Sequence, residues 1–226
     1  MALQQRQLSE QVARHVREAI MVGELRASAY VRVEHLAAQL GVSATPVREA
    51  LMILQSEGTV AWEHRRGFRV VPLTHGDVED LFAVQAHIAG ELAARAAAVL
   101  PAAEIDRLRD VQRDLEAAAR SGDAARVDRL NHEIHRTINK APGAHRLASM
   151  LANTVHHVPL EHFGRVEGWA DASARDHDAI FTALADGDAE AARRAMVGHI
   201  HHVGRLLLAH LVGNGVLEHR SETCVP

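Results

Sequence analysis

Leu36-Ala-Ala-Gln-Leu-Gly-Val-Ser-Ala-Thr-Pro-Val-Arg-Glu-Ala-Leu51 is where the fold declares itself. A short helix over 33–40 ends at Gly41, a residue that tolerates the left-handed backbone of a helix stop. Ser43 then stands at an N-cap position, and Pro46 falls in the first turn of a second helix, where its missing N–H removes no bond. Val47, Ala50, Leu51 and Leu54 repeat at helical spacing, and Glu57-Gly58 supplies the next stop. Two helices meeting at a tight glycine turn form a helix-turn-helix.

Working outward, Leu8, Val12, Val16, Ala19 and Ile20 predict a preceding helix from about Gln4 to Val22, stopped near Gly23. Downstream the period changes from 3.6 to 2. Thr59-Val60-Ala61-Trp62-Glu63 and Phe68-Arg69-Val70-Val71 read as strands, joined by the basic tip His64-Arg65-Arg66-Gly67. The hairpin turns the helix-turn-helix into a winged one. Pro72-Leu73-Thr74 breaks the pattern, which places a DNA-binding domain at 1–73 and a second domain at 74–226.

Beyond that boundary no stretch reads as a strand. Helical patterns cover about 75–99, 102–120, 123–141, 144–163, 172–186 and 188–212, separated by short Gly, Pro and Asp breaks. The expected class is mainly α: a winged helix-turn-helix followed by an all-α antiparallel helical bundle. Aromatic residues are only 3% of the chain, which suits helices packed through small aliphatic side chains.

The net charge of −4 is unevenly spread. Residues 1–73 carry nine Arg against seven acids, a balance of +2, and the remainder carries sixteen basic against twenty-two acidic residues. So small an excess does not establish nucleic-acid binding, but it removes an objection to it. The single cysteine, Cys224, excludes an intramolecular disulfide and a cysteine-rich zinc site, and it suits a cytoplasmic protein. The charged, amphipathic start has no signal-peptide core, and no run of about 18 apolar residues predicts a membrane span. Histidine is the unusual count: there are 17, eleven of them between His132 and His210, and Lys140 is the one lysine.

The stretch 36–51, with Glu57-Gly58 and the Arg65-Arg66-Gly67 wing, resembles the DNA-binding domain of the GntR family of regulators. The second half resembles its FadR-like subgroup, with an FCD-type, effector-binding helical domain. The likeness covers residues 8 to about 212. It implies a cytoplasmic homodimer on double-stranded operator DNA. The recognition helix would present Ser43, Thr45 and Arg48 to the major groove, and Arg65, Arg66 and Gly67 would form the wing contact. The family often has Arg between Ser43 and Thr45, where this chain has Ala44. Alanine can meet a thymine methyl but cannot read guanine, so the operator should differ at that position.

The resemblance also implies a divalent metal ion, Zn²⁺, Ni²⁺ or a related one, inside the bundle. The aligned ligands are Asn131, His135, His177 and His199. Asn131 and His135 are four apart on one helical face, and His199 follows His177 by twenty-two residues. Asn in place of an acid leaves the site one charge weaker. His202 is a candidate outer partner of these ligands. At the place of an effector-facing Arg and Glu stand His87 and Glu91, so the permanent positive charge is lost or becomes pH-dependent. The function implied is a repressor controlled by a small organic acid bound at or near the ion. Two other readings stay open: a regulator for which the ion is the signal, and a metal-dependent enzyme. The enzyme reading lacks a general base, because Glu133 points off the helical face of the ligands.

Overall fold

The computed structural model describes residues 2–155, 164, 166 and 168–217, with side chains from residue 7 onward. The chain forms two compact units, one chiefly Met1–His75 and Leu211–Pro226, the other chiefly Gly76–His156 and Leu160–His210.

The first unit contains α1 (Ala2–Met21), β1 (Tyr30–Val31), α2 (Val33–Leu40), α3 (Ala44–Ser56), β2 (Val60–Glu63) and β3 (Gly67–Val70). Gly41 closes α2 in the left-handed region at φ 66°, and its N–H donates to the Ala37 carbonyl. Ser43 holds the N-cap position of α3 with extended backbone, but its hydroxyl makes no capping bond. The hydroxyl therefore stays available on the surface. Val12 and Val16 of α1 pack with Val47, Leu51 and Leu54 of α3 and with Phe68 and Val70 of β3. Arg17 fastens α1 to the end of α3 by a two-pronged pair with Glu57, 2.6 Å at the shorter contact, with both side chains largely buried.

The hairpin pairs Val60 with Val70 and Glu63 with Gly67, as the alternation implies. Strand β1 was not foreseen. It pairs antiparallel with β3 through Tyr30 and Val31, giving the sheet order β1-β3-β2. Two residues are too few to show a period, and a strand this short is recruited by its neighbour's free edge.

The second unit is helical throughout its described residues: α4 (His75–Ala97), α5 (Ala102–Arg120), α6 (Ala124–Lys140), α7 (His145–Val155), α8 (Trp169–Ala185) and α9 (Ala189–Gly213). Helix α5 matches its expected span, and α4, α6 and α9 lie within two residues of theirs. The last part of the helix expected over 144–163 lies outside the described residues. Helix α8 begins three residues earlier than its pattern suggested, because Trp169 turns inward and is 1% exposed.

Helices α4 and α9 run antiparallel at close quarters. A Cβ on Gly90 would lie 2.7 Å from Val197 Cγ2, and one on Gly204 would lie 2.7 Å from the Phe82 ring. Leu108 and Leu115 of α5, Ile134 and Ile138 of α6, and Ile180 and Leu184 of α8 are fully or almost fully buried. These apolar layers surround the polar residues described next.

Candidate functional site

Two sets of side chains carry the chemistry, one on the surface of the first unit and one inside the second. On the surface, Ser43, Thr45 and Arg48 are all exposed on and just before the first turns of α3. Arg48 donates to the Glu34 carboxylate of α2 at 3.3 Å, with the two side chains 63% and 76% exposed. Water competes with so open a pair, and a phosphate or a base edge can replace Glu34.

The wing tip spans His64 to Arg66 between the paired Glu63 and Gly67. Arg65 is exposed and adopts φ 62°, the left-handed region, and Gly67 follows at φ 95°. A Cβ on Gly67 would lie 3.2 Å from the Val31 carbonyl, so the position calls for glycine. Arg66 donates to the Tyr30 hydroxyl at 3.2 Å, which in turn donates to Glu63 Oε2 at 2.6 Å. Arg69 donates to Glu63 Oε1 at 2.6 Å. The Tyr30 hydroxyl, then Arg69, hold the Glu63 carboxyl below its usual range. Arg66 is thus tethered to the wing, while Arg65 extends from its tip. Tyr30 and Glu63 were missed as members of this network because they lie 33 residues apart and meet only through β1 and the hairpin.

Inside the second unit, His135 of α6, His177 of α8 and His199 of α9 converge. One ligating atom from each lies within 4.8 Å of the others. His135 Nε2 is 3.3 Å from His177 Nε2 and 3.2 Å from His199 Nε2. His177 is 0% exposed and His199 2%. Burial above all, with nearby His199 and His132, pushes His135 down to about 3. Burial, then His199 and His135, pushes His177 well below the usual imidazole value. Both rings are therefore neutral at pH 7, the form that ligates.

The outward-facing nitrogens have their own partners. His177 Nδ1 lies 2.8 Å from Gln112 Oε1 of α5, and His199 Nδ1 lies 3.2 Å from Asp176 Oδ2. Both Nδ1 atoms thus face oxygen acceptors, and both Nε2 atoms face the cluster. Asp176 Oδ2 also accepts from His202 Nδ1 at 2.9 Å. Although burial pushes Asp176 up, the bonds from His199 and His202 outweigh it and hold the carboxyl below its ordinary range. Asn131 stands one turn before His135, is 9% exposed, and has an Oδ1 with no hydrogen-bond partner. A buried carbonyl left in that state is costly unless something binds it. Three ring nitrogens turned to one point, with a buried and unpartnered amide oxygen one helical turn from His135, fit a divalent cation of the zinc or nickel type.

His87 and Glu91 are not held together in this way. His87 is exposed on α4, and Glu91 is paired instead with Arg193 of α9, a contact on which it also meets Arg95 at 3.8 Å. Arg193 was missed because it lies 102 residues from Glu91. Glu133 accepts from Arg107 at 2.5 Å on an exposed face, so it is engaged away from the histidines. Gln112 also escaped the sequence, since a lone glutamine on an amphipathic helix carries no signal.

Comparison with known proteins agrees with this architecture. Residues 8–70 match the model for bacterial regulatory proteins of the gntR family, and residues 80–202 match that for the FCD domain. The chain is 30% identical over 209 residues to the "Probable D-xylose utilization operon transcriptional repressor" of Paenarthrobacter nicotinovorans, covering 90% of this chain and 91% of that one. It is 25% identical over 201 residues to the HTH-type transcriptional regulator YdhC of Bacillus subtilis, covering 83% and 85%. Among solved structures, E. coli McbR/YncC superposes with a TM-score of 0.70 at 22% identity, covering 90% of this chain and 98% of the other. These relatives are transcription regulators and not enzymes, and no described helix is long and apolar enough to cross a membrane. A winged helix-turn-helix followed by an FCD domain makes this chain a DNA-binding transcription regulator, and it belongs to the GntR family.

Proposed function

We propose that the protein is a homodimeric repressor whose hold on operator DNA is set by a small carboxylate bound at or beside a divalent ion. In this reading residues 1–73 bind DNA, and residues 74–226 carry the ion, the effector and the dimer contacts. The ion is held by Asn131, His135, His177 and His199. The observation that carries the reading is the convergence of three imidazole nitrogens, two of the rings aimed by Nδ1 partners, with the unpartnered Asn131 oxygen one helical turn from His135. The repressor direction draws support from the name of the Paenarthrobacter relative.

On the DNA side, Ser43, Thr45 and Arg48 enter the major groove, and Arg65, Arg66 and Gly67 follow the backbone beside it. Ala44 leaves one base position without a guanine contact. On the effector side, a bound ion supplies a Lewis-acid anchor for an anionic group. A donor set of three imidazole nitrogens and one carboxamide oxygen brings no negative charge to a divalent ion, which favours a carboxylate ligand. His87 and Glu91 are placed near the effector only as part of this proposal, and the exposure of His87 makes Glu91 with Arg193 the stronger pair. The effector can alter DNA affinity only by binding one arrangement of the protein better than another.

The test is the metal content of freshly purified full-length protein, beside His177→Ala. About one ion per chain in the wild type, lost in the variant, is the expected result. No ion in either after reconstitution with Zn²⁺ or Ni²⁺ would overturn the ion-anchored part. Operator affinity that follows ion concentration with no organic ligand would move the signal to the ion itself.

A further inference from the structure

We propose that Gln112 is a positioning residue, held in one orientation by Glu116, that dictates which nitrogen of His177 presents its lone pair to the histidine cluster. The affinity arm of the argument rests on the ion reading above; the tautomer arm rests on geometry alone.

A neutral imidazole carries one N–H and one lone pair, and its surroundings choose which nitrogen holds which. His177 is fully buried, so protein groups make that choice; the Ser173 hydroxyl, 3.4 Å from Nε2, can donate or accept and so does not itself decide it. The partner of Nδ1 is the Gln112 side chain at 2.8 Å, itself 6% exposed. A primary amide could serve either tautomer, because its oxygen accepts and its nitrogen donates. Glu116 removes the ambiguity. It lies one turn further along α5, on the same face, and its Oε1 is 3.1 Å from Gln112 Nε2. An ionised carboxylate only accepts, so the Gln112 NH₂ is committed to Glu116 and the carbonyl is turned to His177. Nδ1 must then carry the proton, and the lone pair falls on Nε2, 3.3 Å from His135 Nε2.

The two flanking imidazoles are thus served differently. His199 leans on Asp176, a carboxylate that accepts whichever oxygen is presented. His177 leans on an amide, which works only if something fixes its direction. That something reaches toward solvent: Glu116 is half-buried and forms part of the wall of a cavity of about 520 Å³, together with Arg120 and Arg175. A chain of two hydrogen bonds therefore links a carboxylate near the surface to a lone pair in the core.

Long-range ¹H–¹⁵N correlation spectra of the metal-free full-length protein at pH 7 read the tautomer of each histidine, with His177→Asn assigning the signal. The wild type is expected to hold His177 as the Nδ1–H form. Gln112→Leu should shift it toward Nε2–H, and Zn²⁺ affinity, measured by chelator competition, should fall about 10- to 100-fold. The double swap Gln112→Glu with Glu116→Gln conserves charge, restores an acceptor beside Nδ1, and should recover both readouts. A Gln112→Leu protein that keeps a native far-UV spectrum, the Nδ1–H tautomer and Zn²⁺ affinity within twofold would overturn the proposal. Should that variant fail to fold, Glu116→Ala at its half-buried position decides: mixed tautomers support the proposal, and an unchanged spectrum refutes it. A wild type that binds no Zn²⁺ defeats the ion reading, while the tautomer spectra still decide the role of Gln112.

Discussion

Arg48 and its partner Glu34 are 63% and 76% exposed, whereas His177 is fully buried and held by a glutamine that is almost so. The winged helix keeps the groups proposed to meet DNA outside its apolar core, and the bundle keeps His177 and His199 within its own. Side chains of the first kind can change with little effect on folding, because water replaces what they lose. Those of the second kind bear on the fold as well as on any ligand, because every polar atom there needs a partner. Changes at the DNA surface should therefore separate binding from stability, and changes at the histidines should not.

The largest effect expected is on the core beneath α3. Leu51 is 0% exposed and packs in the cluster joining α1, α3 and the hairpin. Leu51→Ala should cost about 2–5 kcal/mol by denaturant unfolding. A loss near zero would mean that the first unit's packing does not depend on this helix as described.

Next comes acid sensitivity, which tests the buried side of the contrast. In the ion-free protein, His135 titrates at about 3 and His177 well below the usual value, while unfolded imidazoles titrate near 6.5. Between those limits the unfolded chain binds more protons than the native one. The contribution is thus complete above about pH 6.5 and is lost progressively as the pH falls from there toward about 3. The expected loss between pH 7 and 5 is on the order of 2 kcal/mol from His135 alone, with His177 adding to it in the same direction, read from denaturation midpoints. A pH-independent midpoint would show that these rings are hydrated and would erase the contrast.

The smallest change in stability is expected at Arg48. Arg48→Ala should weaken operator binding about tenfold while the unfolding free energy moves by less than about 0.5 kcal/mol. Glu34→Gln, which removes the competitor for Arg48, should leave stability equally unmoved and raise operator affinity modestly. Equal losses of stability and binding in Arg48→Ala would show that the surface group is structural after all.

Much of this contrast was legible in the sequence, and the missing parts have physical causes. The helix-turn-helix could be read because Gly41, Ser43, Pro46 and Gly58 punctuate an apolar period of 3.6, so local chemistry and packing point the same way. Strand β1 has no such period and exists only through pairing with β3. The histidines were selected by the family resemblance, and three of the four residues it implied meet through ring nitrogens in the structure. Their partners Gln112 and Asp176 come from sequence separations of 65 and 23 residues, set by how helices cross rather than by any local pattern. The same is true of Glu91, whose pairing with Arg193 on α9 joins residues 102 apart in the sequence.

Arg65 has a cost that its charge conceals. A non-glycine residue at φ 62° carries a backbone penalty of about 1–2 kcal/mol. Glycine would occupy the same turn with less strain, so selection for heat resistance alone has a downhill route that erases a cation from the wing. If the wing does touch DNA, robustness and recognition pull this one residue in opposite directions, and the arginine found there records which of the two prevailed.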